Sequence, residues 1–176
     1  ARWRLVESAW KLKLPASMIQ AEFDSEDESI FLRDQSLRRI NLSPARPALN
    51  AYQRGRGFYC SDLISVDNEA GNISHVDHFL PFRLKAHGLK NVDSIWNLVL
   101  ACQKCNLQKL GKLPHEDLAQ RIATRNDWYC ASKHPLSETI RLQTGATKQS
   151  RLEFLRTQYY EAASLLGTAS SAGWRP

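Results

Sequence analysis

The sequence predicts an α+β fold, mostly helical, built on a small unit of two strands and a helix with further helices on both sides. Three observations predict it. Apolar residues recur at helical spacing near both ends: Trp3, Val6, Trp10 and Leu14, and then Leu152, Leu155, Tyr159, Ala162, Ala163 and Leu166. Between them, Ser61 to Ser74 reads as a strand or loop followed by the turn-forming string Asp67-Asn-Glu-Ala-Gly-Asn72, and Ile73 to Phe79 as a second strand. An apolar run, Ile95 to Ala101, then leads directly into a helical pattern from Gln103 to Leu110. The chain divides accordingly into a helical N-terminal region (1–47), a central unit (48–115) and a helical C-terminal extension (116–176).

Each element has a local cause. Pro15 stops the first helix. The acidic run Glu22, Asp24, Glu26, Asp27 and Glu28 suits the start of a second helix, from Ile30 to Leu42, because carboxylates there favour the helix dipole. Ser43-Pro-Ala-Arg-Pro47 is expected to break the chain, and Ala48 to Gln53 to form a short helix. Ile73 to Phe79 is expected as a second strand and 82–94 as a connecting loop. His115-Glu-Asp-Leu118 starts a helix that runs through Arg125, and Asn126 to Leu136 is expected as a loop. Ser137 to Leu142 is ambiguous. The last helix, Ser150 to Leu166, stops at Gly167, and the tail 168–176 is expected to fray.

The chain has 176 residues, 43% of them hydrophobic, and a formal net charge of +6. That is enough to bury one core, and the charge suits a polyanionic partner. The middle of the chain is its most basic part. Four cysteines, at 60, 102, 105 and 130, are too few and too unevenly spaced for a secreted disulfide framework. No apolar run approaches the length of a membrane span or a signal segment. A reducing, cytoplasmic setting is the expectation, without a membrane partner. The start at Ala1 rather than Met suggests either a piece of a longer protein, with a missing N-terminal domain as one partner, or a processed chain.

The chemistry concentrates between His75 and Lys112. Phosphodiester hydrolysis needs an activated water and a cation to neutralise charge on the phosphate and the leaving oxygen. Asp77 offers hard oxygen ligands suited to Mg²⁺ or Mn²⁺. His78 brings an imidazole, the side-chain type whose free pKa of about 6.5 lets it accept a proton at neutral pH. A lone Asp-His is most often an ordinary surface pair, so its neighbours decide. Asn97 carries a donor and an acceptor that can fix the backbone around His78. Asn106 opens a helix and can turn its carbonyl oxygen to a metal opposite Asp77. His75 shares a strand face with Asp77 and is a candidate auxiliary ligand or phosphate contact. Arg54, Arg56, Lys104, Lys109 and Lys112 are candidate phosphate contacts.

Together, His75-Val-Asp-His-Phe-Leu-Pro81, Trp96-Asn-Leu-Val-Leu-Ala-Cys102 and Cys105-Asn-Leu-Gln-Lys109 resemble the HNH, or ββα-metal, endonuclease family. Three separated blocks agree in order, over roughly residues 55–115. The resemblance implies a two-stranded hairpin plus helix. It also implies His78 as general base, Asp77 and Asn106 as ligands of Mg²⁺ (or Mn²⁺ or Ni²⁺), and Asn97 as the residue bracing the base. DNA is the implied substrate, with products carrying 5′-phosphate and 3′-hydroxyl ends. Bacterial restriction or anti-phage defence is the implied setting, with a homing or mobile-element nuclease as the alternative. A non-catalytic binding module on the same scaffold is a further alternative, disfavoured because Asp77, His78 and Asn106 are all present. Cleavage of both strands by one site would favour a homodimer or sequential nicking.

There is one departure. Many family members bind a structural Zn²⁺ through two Cys-x-x-Cys pairs. Here Cys102 and Cys105 form one pair, but the other would need cysteines at 57 and 60, and position 57 is Gly57. Cys60, Cys102 and Cys105 supply three of the four ligands that a structural zinc wants. The fourth would come from Asp62, Cys130, a histidine or water.

Overall fold

A computed structural model describes residues 45–66, 71–89 and 91–176. The helices expected at 1–14 and 30–42, the acidic run at 22–29 and part of the 67–72 turn lie outside the described residues. The described chain begins with helix α1, Arg46–Gln53. Pro47 falls in its first turn, where the missing N–H costs nothing and the fixed φ is already helical. The proline expected to break the chain therefore starts a helix. Arg54 closes it in the left-handed conformation, φ 50°.

Strand β1, His75–His78, pairs antiparallel with β2, Leu98–Ala101, placing His75 opposite Ala101 and His78 opposite Leu98. This corrects the expected strand order. The stretch 61–66 makes only isolated bridges, Arg56 to Leu63 and Ser65 to Ile73, and the partner of β1 comes later in the chain. All four β2 residues are buried, so the strand lacks the alternation that marks a half-exposed one. The connection between the strands holds two 3₁₀ segments, Phe82–His87 and Ile95–Asn97. Gln53 stands in for a third strand: its amide donates to Leu100 O and accepts from Leu100 N, both at 2.8 Å.

Helix α2, Gln103–Lys109, follows β2 directly, capped by the Cys102 sulfur. Helix α3 spans Glu116–Ala131, so the loop expected from 126 begins instead as helix. Its buried face reads Leu118, Ile122, Arg125, Asn126 and Tyr129; the two polar residues interrupt the apolar pattern that would reveal the helix. Helices α4, Leu136–Thr144, and α5, Lys148–Leu166, complete the fold. Thr147 and Ser150 form a capping box on α5, and Gly167 ends it at φ 60°.

The tail does not fray. Trp174 packs edge-on against Tyr59 with centroids 5.1 Å apart, and its backbone bonds Leu113 O and His115 N. One hydrophobic cluster joins Phe58, Phe79 and Trp96 to Leu155 and Tyr159 of α5; a second joins α1 to β2, Tyr129 and α4. The C-terminal helices thus form part of the walls of the two-strand unit. No helix among the described residues is long and apolar enough to cross a membrane.

Candidate active site

The site lies where β1, β2 and α2 meet. On β1, His75 and Asp77 share one face and His78 points the other way. Asn106, on α2, donates from Nδ2 to His75 Nδ1 at 3.2 Å, which leaves its carbonyl oxygen for another partner. Asp77 Oδ2 accepts the Tyr59 hydroxyl at 2.7 Å and pairs with Lys109 Nζ at 3.1 Å. Both contacts fall on one carboxylate oxygen. The structure therefore sets His75 against Asn106 and Asp77 against Lys109, joining β1 to α2 through two side-chain pairs.

His78 is held separately. Its Nε2 lies 3.0 Å from Asp93 Oδ1, and its ring tilts over Phe82 at 5.3 Å. Asp93 Oδ2 in turn accepts from Lys85 Nζ at 2.9 Å. Burial alone raises the Asp93 carboxyl, but hydrogen bonds from His78 and Lys85, with their charges, outweigh it and hold the group below its ordinary value.

Asn97 is fully buried and fixes the backbone that follows His78. Its Oδ1 accepts Leu80 N at 2.8 Å, and its Nδ2 donates to Leu80 O and Val92 O at 3.0 and 2.8 Å. Its own carbonyl accepts Phe79 N at 2.7 Å. A layer behind, Arg125 is wholly buried with no carboxylate partner among the described residues. It donates to the carbonyls of Trp96 at 2.6 Å, Ile95 at 3.3 Å and Leu98, and to Asn126 Oδ1 at 2.7 Å. Burial pulls its guanidinium down to about 10, still charged at neutral pH. The turn carrying Asn97 is thus tied by its carbonyls to α3.

Arg54, Arg56, Lys104 and Lys112 are exposed, as a phosphate contact requires. Lys109 is not. It is 1% exposed, and its ammonium is taken up by Asp77 and by His78 O at 2.7 Å. The expected phosphate contact is therefore corrected: Lys109 binds Asp77 to the backbone of the neighbouring histidine. Burial lowers its pKa, with the Asp77 charge and hydrogen bond opposing.

The Cys60, Cys102 and Cys105 sulfurs lie within 4.8 Å of one another and could hold a metal ion. Cys130 is elsewhere, in the second cluster, with its sulfur directed at Ser137 O. Burial, and then hydrogen bonds with Cys102 and Cys60, push the Cys105 thiol up to about 12.

Tyr59, Lys85, Asp93 and Arg125 are site residues that sequence reasoning missed. Asp93 fell at the end of the expected connecting loop, and nothing in its spacing points across the connection to His78. Arg125 entered only as the expected end of a helix.

No curated protein matches the chain. A family model described as HNH endonuclease matches residues 59–111, under a third of the chain, and that span holds both strands, α2 and all the residues gathered around Asp77 and His78. Residues 59–111 of this chain carry a match to the HNH endonuclease domain.

Proposed function

We propose that the chain is a divalent-metal-dependent endonuclease that hydrolyses DNA phosphodiester bonds, with His78 as general base. The observation that carries this is the pairing of an oxygen-rich corner with a separately braced histidine on the adjacent residue. Asp77 and Asn106 would hold the cation, because a carboxylate and an amide carbonyl are the hard oxygen donors that Mg²⁺ or Mn²⁺ prefer. His75 is the auxiliary ligand; an imidazole in the set would also admit Ni²⁺. A cation there supplies charge neutralisation at the phosphate and the leaving oxygen.

The rest is the work of the chain. Asp93 accepts from His78 Nε2, which favours the tautomer with its proton there and leaves Nδ1 free to take one from water. Asn97 fixes residues 79–80, so the imidazole is carried on rigid backbone. Lys109 and Tyr59 fix the Asp77 carboxylate. Arg54, Arg56, Lys104 and Lys112 would grip phosphates. A bacterial restriction or anti-phage setting is the role that family membership favours.

The test is nicking of a supercoiled plasmid by the purified chain with Mg²⁺, Mn²⁺ or Ni²⁺, against EDTA. Metal-dependent nicking leaving 5′-phosphate ends is the expected result. Salt-sensitive binding without cleavage in any metal would point to a binding module.

A further inference from the structure

The C-terminal tail lies well outside the matched segment 59–111, yet it packs against a residue of the candidate active site. That residue is Tyr59. It is buried, and its hydroxyl donates to Asp77 Oδ2 at 2.7 Å. Phe58 lies edge-on to its ring at 5.3 Å, and Lys109 Nζ stands 5.9 Å from the ring centroid. Both of these neighbours come from the two-strand unit and its helix. The Trp174 ring, 5.1 Å away at 86°, comes from the tail.

The tail is built to keep Trp174 in that place. Trp174 N donates to Leu113 O at 2.7 Å and His115 N donates to Trp174 O at 2.9 Å, a parallel bridge between Pro114 and Trp174. Tyr159 of α5 donates its hydroxyl to Pro114 O at 2.8 Å, which fixes the other side of the bridge. One residue on, Arg175 Nη2 donates to Asp117 Oδ2 at 2.7 Å, in the first turn of α3. Gly173 permits the approach. A Cβ there would fall 2.6 Å from His115 Cα and 2.7 Å from Pro114 O, both backbone atoms. Its φ of −61° suits any residue, so closeness and not conformation requires the glycine.

The consequence reaches Asp77. The last torsion of an aspartate is broad, so a carboxylate turns easily unless it is held. Tyr59 and Lys109 both engage Oδ2, which leaves Oδ1 as the oxygen presented elsewhere. Lys109 is itself anchored on His78 O at 2.7 Å. The Tyr59 hydroxyl has no such anchor printed on it; it sits at the end of a ring whose position is set by packing.

We propose that Trp174 is a positioning residue for the metal corner: the docked tail holds the Tyr59 ring, and Tyr59 holds the Asp77 carboxylate with Oδ1 turned to a divalent cation. Trp174 acts through Tyr59 and touches no reacting atom. The C-terminal extension then serves the site as well as the core. The inference rests on the reading of Asp77 as a ligand of that cation.

The test is Mn²⁺ binding by the metal-free full chain, followed by electron paramagnetic resonance without DNA, at a temperature where every variant is folded. Wild-type binding that is lost in Asp77→Ala identifies the site. Tyr59→Phe should weaken that binding by about 10–100-fold, the scale on which partners that orient a metal ligand act. Trp174→Ala should weaken it in the same direction. Gly173→Ala keeps the indole but crowds the tail off His115, and should do the same. Trp174→Phe should recover part of the loss. A structural role alone is separated by the double variant. In the Tyr59→Phe background, Trp174→Ala should cost no further Mn²⁺ affinity, while still lowering the unfolding midpoint. Wild-type affinity in Trp174→Ala, or a full further loss in the double variant, would overturn the positioning role and leave Asp77 as a ligand. Wild-type Mn²⁺ binding that is absent or indifferent to Asp77→Ala would overturn the metal reading itself, and the positioning role with it.

Discussion

Asp93 Oδ1 sits 3.0 Å from His78 Nε2, fifteen residues away in the chain, while Lys85 holds the other oxygen of the same carboxylate at 2.9 Å. The contact reaches across most of the connection between the strands. It makes Asp93 a positioning residue for the proposed base. Asp93→Ala is expected to lower kcat by about 10–100-fold, the scale on which partners that orient a site residue act, with KM for DNA nearly unchanged. Equal loss in binding and turnover would show instead that the connection has merely unfolded.

The same carboxyl predicts a pH dependence of stability. Asp93 is held below its ordinary value of 3.8 in the fold. A carboxyl depressed in this way stabilises the fold above its unfolded pKa, and the contribution disappears as pH falls through the folded pKa. In denaturant titrations, the stability gap between wild type and Asp93→Asn should be constant near neutrality. It should narrow below about pH 4 and close in stronger acid. A gap that persists down to acid unfolding would contradict the assignment.

Lys109 and the surface cations should behave in opposite ways. Lys109→Met leaves Asp77 without its cation in a poorly solvated place, and removal of one partner from a buried pair costs about 3–5 kcal/mol. The salt dependence of DNA binding should not change, because the ammonium is not exposed. Arg54→Ala, Arg56→Ala, Lys104→Ala and Lys112→Ala should leave stability nearly unaltered. Each that contacts a phosphate should reduce the slope of log K against log salt by about 0.9. Binding isotherms at several salt concentrations and denaturant curves on the same variants separate the two groups.

Asn97→Ala should destabilise through the groups it leaves behind. Leu80 N, Leu80 O and Val92 O all lose a buried partner, at about 1–3 kcal/mol for each that finds no replacement. Arg125→Met should act similarly on the carbonyls of Ile95, Trp96 and Leu98. Arg125 touches no proposed reacting group. Its variant should recover activity at low temperature, where the fold persists, whereas Asp93→Ala should not.

What the sequence revealed, and what it hid, follows from where the determinants lie. The last helix was legible because Leu155, Tyr159, Ala162 and Ala163 repeat at helical spacing and Gly167 ends the run. Asp77, His78, Asn97 and Asn106 stood out because the chemistry asks for those residue types in one short stretch, and the structure braces His78 with Asp93 and fixes the following backbone with Asn97. The partnership of β1 with β2 was hidden because β2 is buried on both faces and lacks period-two alternation. The second half of α3 was hidden because Arg125 and Asn126 occupy core positions. Lys109 looked like a surface cation on helix spacing alone; only tertiary packing sets its ammonium on Asp77. The docked tail depends on one long-range contact, Trp174 against Tyr59, which no local pattern encodes.

The central claim is that His78 takes the proton from the attacking water. The most direct measurement is single-turnover plasmid nicking by wild type and His78→Ala, at saturating protein with the best divalent metal, alongside DNA binding for both. A positioned general base contributes about 10²–10⁴ in rate. The account predicts a loss of that size in His78→Ala, with DNA affinity and unfolding midpoint close to wild type. Nicking by His78→Ala at the wild-type rate, in a folded protein that binds DNA, would contradict it.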